Sequence, residues 1–300
     1  MKPKPKVIAI VGPTASGKTS LSITLAKKCN GEVISADSRQ VYQGMDLGTG
    51  KVTKAEMGDI PHHLLDVAKP MDIYTGADFK RDATIALTKI LNRDCVPIIA
   101  GGTFFYLELL RNNMQAAPVE PNLDFRKSLE VFSNEELLEQ LQQKDPRRAA
   151  SIDPDNRRRL ERSLEIIETL GAVPEAKPAE SDYDWLLLGV AVEKEQLHQN
   201  IHTRIIQRLD EGMITEVEDL LESGVSKKRL DDFGLEYRYI LKYLDKELSR
   251  AEMIEQLETK TKQFAKRQLT WLKRYPEIVW VDSTEPEKAL SITKEFLSKQ

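Results

Sequence analysis

Apolar residues along the chain fall into two rhythms. Short continuous runs, "KVIAIV" (6–11), "GEVISAD" (31–37), "CVPIIAGGT" (95–103), "WLLLGVAVE" (185–193) and "EIVWVD" (277–282), are rich in β-branched residues and closed by glycine or a polar residue. Each has the length and composition of a strand buried in a parallel sheet. The stretches between them keep a helical period. "KTSLSITLAKKC" from Lys18 places Leu21, Leu25 and Ala26 together, and 75–93 places Phe79, Ala83, Leu87 and Ile90 or Leu91 on one side. Strand and helix in alternation predict a doubly wound α/β sheet.

The pattern changes near Asn112. "NNMQAAPVEPNLD" reads as a proline-containing linker, residues 124–170 are charged and helical without strand signals, and "ETLGAVPEAKPAESD" is a second connection. The expected organisation is an α/β core made of 1–113 and 184–300, interrupted by a helical insertion over 114–183. A long helix is predicted from Arg250 to Tyr275. Met253, Leu257, Phe264 and Trp271 form its apolar stripe, and Lys262, Lys266 and Lys273 lie opposite, with Arg267 and Arg274 flanking. Those cations form either a solvated face or a groove for a phosphate backbone.

Composition narrows the class. With 40% hydrophobic and 31% charged residues the chain is an ordinary globular protein, and a net charge of −4 gives no overall bias toward nucleic acid. The polar start "MKPKPK" is followed by a run of strand length, which is neither a signal peptide nor a membrane span, so a cytoplasmic location without a membrane partner is expected. Cys29 and Cys95 form no CxxC pair. His62 and His63 point to different faces, and His198 and His202 lack the glutamate of a zinc-protease helix. No cluster of metal ligands is visible in the sequence.

The strongest chemical signal is Gly12-Pro13-Thr14-Ala15-Ser16-Gly17-Lys18-Thr19, a full GxxxxGK[ST] match between a predicted strand and a predicted helix. Backbone N–H groups of such a loop converge on phosphate oxygens, helped by the helix N-terminus. Lys18 neutralises phosphate charge and the Thr19 hydroxyl is placed to hold magnesium. The fold is thus expected to be P-loop NTPase-like, a parallel sheet flanked by helices with an inserted all-helical subdomain. Read alone, the loop suggests ATP. No acid closes the "VPIIAGGT" strand, however, and Asp282 lies at the far C-terminus. Asp37, which ends the second strand, is placed to activate an acceptor or to cap the strand; group transfer fits better than mechanical ATP hydrolysis.

Several segments together resemble the tRNA dimethylallyltransferase (tRNA isopentenyltransferase) family. They are GPTASGKT (12–19), ISADSRQVYQGMDLGTGK (34–51), IPHHLLDV (60–67), ADFKRDA (77–83), VPIIAGGTFFYLELL (96–110), DPDNRRRLERSLEII (153–167) and FAKRQLTWLKR (264–274). They keep the family's order over nearly the whole chain. The resemblance implies dimethylallyl diphosphate as donor, its diphosphate held by residues 12–19 with Mg²⁺ on Thr19. It implies as acceptor the exocyclic N6 amine of the adenosine beside the anticodon, in the tRNA anticodon stem-loop. Asp37 would orient that amine and take its proton, while Lys18, Thr103 and Arg204 stabilise the leaving diphosphate. Ser38, Arg39, Gln40 and Thr103 would contact the target nucleotide, which must leave the base stack. Arg126, Arg157, Arg158 and Arg159 of the insertion would contact the stem-loop. Three consecutive arginines spread around a helix, so only one or two are expected on phosphates, the rest being solvated or paired with Glu161 or Glu165. A monomer is expected.

Departures from the family pattern are Phe104, Glu236 where a glycine is usual, and a shorter segment after Arg208; the last two concern acceptor recognition. Three other readings stay open on the residues: a prenyltransferase for free adenine nucleotides, a P-loop small-molecule kinase, and a non-catalytic ATP-dependent RNA-binding module.

Overall fold

Residues 3–112, 117–175 and 180–299 are described by the structure, a computed structural model. The stretches 113–116 and 176–179 of the two proline-containing connections lie outside them. In chain order the first elements are β1 (Lys6–Val11), α1 (Lys18–Cys29), β2 (Gly31–Ser35), α2 (Lys54–Met57), β3 (His62–His63), α3 (Gly76–Leu91), β4 (Val96–Ala100) and α4 (Phe104–Arg111). Four helices follow: α5 (Leu123–Leu129), α6 (Asn134–Lys144), α7 (Pro146–Ser151) and α8 (Arg157–Leu170). The chain then runs through β5 (Asp184–Ala191), α9 (Lys194–Asp210), α10 (Met213–Glu222), α11 (Lys227–Phe233), α12 (Leu235–Leu244), α13 (Arg250–Leu272), β6 (Val279–Asp282) and α14 (Pro286–Ser298).

The strands form one six-stranded parallel sheet in the order β3-β2-β4-β1-β5-β6. Strand β1 lies inside, with Ile8 opposite Ile98 on one side and Leu186 on the other. Val7 through Val11 are therefore all buried, which is why this run is apolar without alternation. The α/β reading of the sequence holds, and the five apolar runs are five of the six strands. The sixth, β3, is two polar residues at the sheet edge, paired with Val33 and Ile34, and carries no apolar signal.

This order sets the position of the site. Neighbouring strands β2, β4 and β1 lead at their carboxyl ends into residues 36–40, 101–103 and 12–17, so three connecting loops open side by side. The carboxyl edge of a parallel sheet is where such folds bind ligands.

Contacts divide the chain into two units, Met1–Asn113 with Glu180–Gln300, and Met114–Ala179. The second has its own small core, in which Leu129, Leu137, Leu141, Leu160, Leu164 and Ile167 pack together. Its helix starts are fixed locally. Ser133 and Glu136 form a reciprocal capping box on α6, and Asp145 caps α7 by accepting the Arg148 N–H at 2.9 Å.

On α13 the buried row is Met253, Leu257, Thr261, Ala265 and Leu272, stepping mostly by four residues. Phe264 is only partly buried, and Trp271, placed on the apolar stripe by the sequence pattern, is 36% exposed. Its ring takes the Arg274 guanidinium at 5.3 Å.

Candidate active site

The loop after β1 turns through residues that tolerate unusual backbone. Gly17 has φ 90°. A Cβ on Gly12 would stand 2.8 Å from Ser16 Oγ and 3.2 Å from the Val190 carbonyl oxygen. Ala15 is held at φ 61°, and its carbonyl oxygen accepts a hydrogen bond from Asn200 Nδ2 at 3.2 Å. Lys18 Nζ donates to the Pro13 carbonyl at 2.6 Å. Loss of solvation and, second, the nearby Arg204 cation lower the Lys18 ammonium to about 8, against the opposing pull of Asp37. Thr19 is exposed in the first turn of α1, and its hydroxyl makes no hydrogen bond among the described residues.

Asp37 lies two residues beyond the end of β2. Its Oδ1 accepts the Arg39 N–H at 3.0 Å, a local turn that aims the carboxylate from the backbone up. Thr103 Oγ1 accepts the Ser38 N–H at 3.0 Å and lies 3.2 Å from Ser38 Oγ, joining the β2 and β4 loops. Gln40, one of the expected nucleotide contacts, has its amide engaged internally: Ser35 Oγ donates to its Oε1 at 3.0 Å, and its Nε2 donates to the Gly50 carbonyl at 3.1 Å.

Two helices close the site from the C-terminal half. Arg204 on α9 donates to Thr14 Oγ1 at 2.5 Å. Burial first, and then the neighbouring Arg208, push its guanidinium down to about 10, while Glu236 and Asp37 oppose the shift, so it stays cationic at neutral pH. From α13, Gln268 accepts the Thr14 N–H at 2.8 Å and donates to the Gly102 carbonyl at 3.3 Å. The loop at 46–48 is fixed by Glu216 of α10. Its carboxylate accepts the N–H groups of Asp46, Leu47 and Gly48 at 2.8, 2.6 and 2.9 Å and the Tyr237 hydroxyl at 3.0 Å. Gly48 lies against the Tyr237 ring, where a Cβ would come within 2.5 Å of Cζ. Lys51, almost fully buried, completes the loop by donating to the Tyr42 carbonyl at 2.7 Å and to Asp46 and Asp66 at 2.5 Å each.

One pocket results, and Lys18, Asp37, Ser38, Arg39, Thr103 and Arg204 all line it, with Thr14, Ala15 and Thr19 at its phosphate-loop side. Gly12, Pro13 and Ser16 are buried in the loop. The contributions of Gln268, Glu216, Tyr237 and Asn200 were not apparent from the sequence. Gln268 at least lies within the quoted FAKRQLTWLKR segment.

The arginines named in the helical unit divide into two kinds. Arg126 Nε and Nη2 donate to Glu165 at 2.9 and 2.8 Å, and Arg157 donates to the Phe132 and Leu129 carbonyls at 2.8 Å each and pairs with Glu161 at 2.8 Å. Burial alone would raise the Glu165 carboxyl, but hydrogen bonds from Arg126 and Arg162 outweigh it and hold it below the usual carboxylate range. Arg158 and Arg159 are exposed; Arg158 has a partner, whereas the Arg159 guanidinium has none among the described residues.

Among the described residues no group of three or more His, Cys, Asp or Glu side chains is arranged to hold a metal, and no helix is long and apolar enough to cross a membrane. His63 instead pairs with Glu32 at 2.7 Å and His202 with Glu258 at 2.8 Å.

A glycine-rich loop and helix N-terminus at the carboxyl edge of a parallel sheet, faced by a lysine and an arginine, define a P-loop α/β protein with a polar reaction pocket. The model of the IPP transferase family matches residues 40–275. The chain belongs to that family. It is 42% identical over 273 residues to "tRNA dimethylallyltransferase 1" of Geotalea uraniireducens, covering 89% of this chain and 88% of that one. To the tRNA dimethylallyltransferase of Halalkalibacterium halodurans it is 38% identical over 292 residues, with 94% and 92% covered. Among solved structures it is similar to a full-length tRNA isopentenylpyrophosphate transferase from Bacillus halodurans, with TM-score 0.73, 35% identity and 97% and 96% coverage. It is also similar to a eukaryotic dimethylallyltransferase acting on tRNA, with TM-score 0.82, 29% identity and 98% and 80% coverage.

Proposed function

We propose that this chain transfers a dimethylallyl group from dimethylallyl diphosphate to the N6 amine of the adenosine beside the anticodon of tRNA. Kinship over nearly the full length supports the activity. The observation that carries the residue roles is the convergence of Lys18, Arg204 and Asp37 on one pocket, two cations from separate elements facing one carboxylate.

The loop 12–19 holds the diphosphate, with Lys18 and Arg204 on the oxygens that gain charge as the allylic C–O bond breaks. The Thr19 hydroxyl, exposed at the pocket and without a hydrogen bond among the described residues, would hold a Mg²⁺, and the ion would supply additional neutralisation of the leaving group. The adenosine amine attacks the allylic carbon; the N–C bond forms, diphosphate departs, and the amine proton passes to Asp37. Asp37 is held for this by the Arg39 N–H. Thr103 and Ser38, bonded to each other, line the same wall, where Thr103 turns its hydroxyl from Ser38 to the donor's oxygens and Ser38 meets the target nucleotide, with Arg39 facing the acceptor RNA beside it. Because the adenosine must reach a pocket at the sheet edge, it leaves the loop stack before reaction.

Of the four arginines named in the helical unit, Arg159 is the one whose guanidinium has no partner among the described residues and can take a phosphate contact, and Arg158 shares its exposed position. Arg126 and Arg157 act by shaping that unit, since their guanidinium groups are taken up by Glu165, Glu161 and backbone carbonyls.

Incubation with Mg²⁺, dimethylallyl diphosphate and an unmodified anticodon stem-loop tests the proposal by mass spectrometry. A five-carbon addition at one adenosine is expected. Phosphate transfer from ATP to a small molecule, with no addition to RNA, would replace this reading with a kinase.

A further inference from the structure

The reaction pocket contains a second carboxylate that the transfer does not use. Glu236, in the first turn of α12, lines the pocket beside Leu235, and its side chain is 14% exposed. Its one close charge partner is Arg39, with Nη1 to Oε2 at 3.7 Å, too long for a hydrogen bond. Among the described residues neither the Glu236 carboxylate nor the Arg39 guanidinium makes a hydrogen bond. The Arg39 guanidinium lies flat against Gly234, where a Cβ would come within 2.3 to 2.6 Å of its atoms. A third group in the same pocket shares this condition: Thr261 is 3% exposed, and its Oγ1 has no partner.

Withdrawing a carboxylate from water without hydrogen bonds is costly, and Arg204 and Arg208 offset that cost only by charge at a distance. The three groups are therefore placed for a ligand that supplies hydrogen bonds. That ligand is not the diphosphate, which Glu236 would repel. A carboxylate beside a guanidinium offers an acceptor next to a donor. The Watson–Crick edge of a nucleobase offers the complementary pair, amine and ring nitrogen on adenine and cytosine, or carbonyl and ring N–H on guanine and uracil. A ribose hydroxyl can satisfy one member only. Asp37 already takes the single donor group on the edge of the target adenine, so the edge in question belongs to a different base.

Resting on the reaction assigned above, we propose that Glu236 and Arg39 read the Watson–Crick edge of a base neighbouring the target adenosine in the acceptor RNA. The fixed order of carboxylate and guanidinium selects one edge polarity, so amino-edged and keto-edged bases separate into a favoured and a disfavoured pair.

The test uses full-length enzyme and stem-loops carrying each of the four bases at either neighbour of the target, together with 2′-deoxy substitutions there. With wild type, kcat/KM at one neighbour should differ by about ten-fold or more between the two polarity classes. In Glu236→Ala the difference should shrink to under about three-fold on the same RNAs, chiefly through KM, while the KM for the donor is unchanged. Glu236→Gln, which keeps the shape of the side chain, should lose most of the same discrimination and guards against a folding defect in the alanine variant. Equal discrimination in wild type and both variants, or none at either neighbour in wild type, would overturn the proposal. A 2′-deoxy penalty that disappears in Glu236→Ala, without a base effect, would assign the carboxylate to ribose instead and also overturn it. Absence of prenylation on the parent stem-loop would remove the underlying reaction, an outcome distinct from transfer without base discrimination.

Discussion

Gln268 Oε1 on α13 accepts the Thr14 N–H at 2.8 Å, so the long basic helix is tied directly to the phosphate loop. The same amide reaches Gly102 at 3.3 Å, which makes Gln268 a clamp between the phosphate loop and the turn that carries Thr103. Gln268→Ala should raise the KM for dimethylallyl diphosphate about ten-fold, the scale of one or two lost hydrogen bonds. Gln268→Glu should be worse, because it places a carboxylate near the diphosphate. Steady-state kinetics on both substrates check this; a change confined to the RNA would point to a different role.

Lys18 carries a prediction about pH. Burial and Arg204 lower it to about 8, so the free enzyme loses this cation as pH rises through that value. The kcat/KM for the donor should therefore fall on an alkaline limb near 8, well below that of an ordinary lysine. Bound diphosphate favours the ammonium, so the corresponding limb in kcat should lie higher. Arg204→Gln should move the free-enzyme limb upward, since one source of the depression is gone.

Glu216 should separate acceptor from donor. Its carboxylate receives four hydrogen bonds that hold residues 46–48 and Tyr237, while Gly48–Gly50 and Leu235–Glu236 line the pocket. Glu216→Gln replaces one accepting oxygen with an N–H donor that faces other donors. The expected result is a fall in stability of about 1–3 kcal/mol and a rise in KM for RNA, with donor binding nearly unchanged. Thermal unfolding and separate binding titrations measure the two effects.

In the helical unit, two arginine substitutions should have opposite signatures. Arg159→Ala should leave the melting temperature unchanged, weaken tRNA binding and reduce the salt slope by about one. Arg126→Ala should destabilise the unit by about 2 kcal/mol, because Glu165 is 1% exposed and loses its bidentate partner. Salt-dependent binding and calorimetry distinguish the two.

Much of the fold was legible because central parallel strands are buried on both faces and must be apolar throughout. KVIAIV and WLLLGVAVE could hardly be anything else, and they pair residue for residue from Lys6–Asp184 to Val11–Gly189. The edge strand at His62–His63 was invisible, since its two residues are polar and only partly buried. The phosphate loop was legible because its chemistry is contiguous in sequence. The clamps were not: Thr14 and Gln268 are 254 residues apart, and Leu47 and Glu216 are 169 apart. No local pattern marks a glutamine or glutamate whose role depends on what another segment brings to it. Glu236 stood out only as a departure from the family pattern, and its closeness to Arg39 needed the fold.

The most direct test of the account is a rapid-quench measurement of a single turnover on an anticodon stem-loop, with donor binding titrated in parallel, for wild type and Asp37→Asn. The isosteric amide keeps an oxygen for the Arg39 N–H but cannot take the amine proton. Transfer should slow by at least about a hundred-fold while donor affinity changes less than about two-fold. Near-normal single-turnover rates in Asp37→Asn would contradict the assignment of Asp37 as the base.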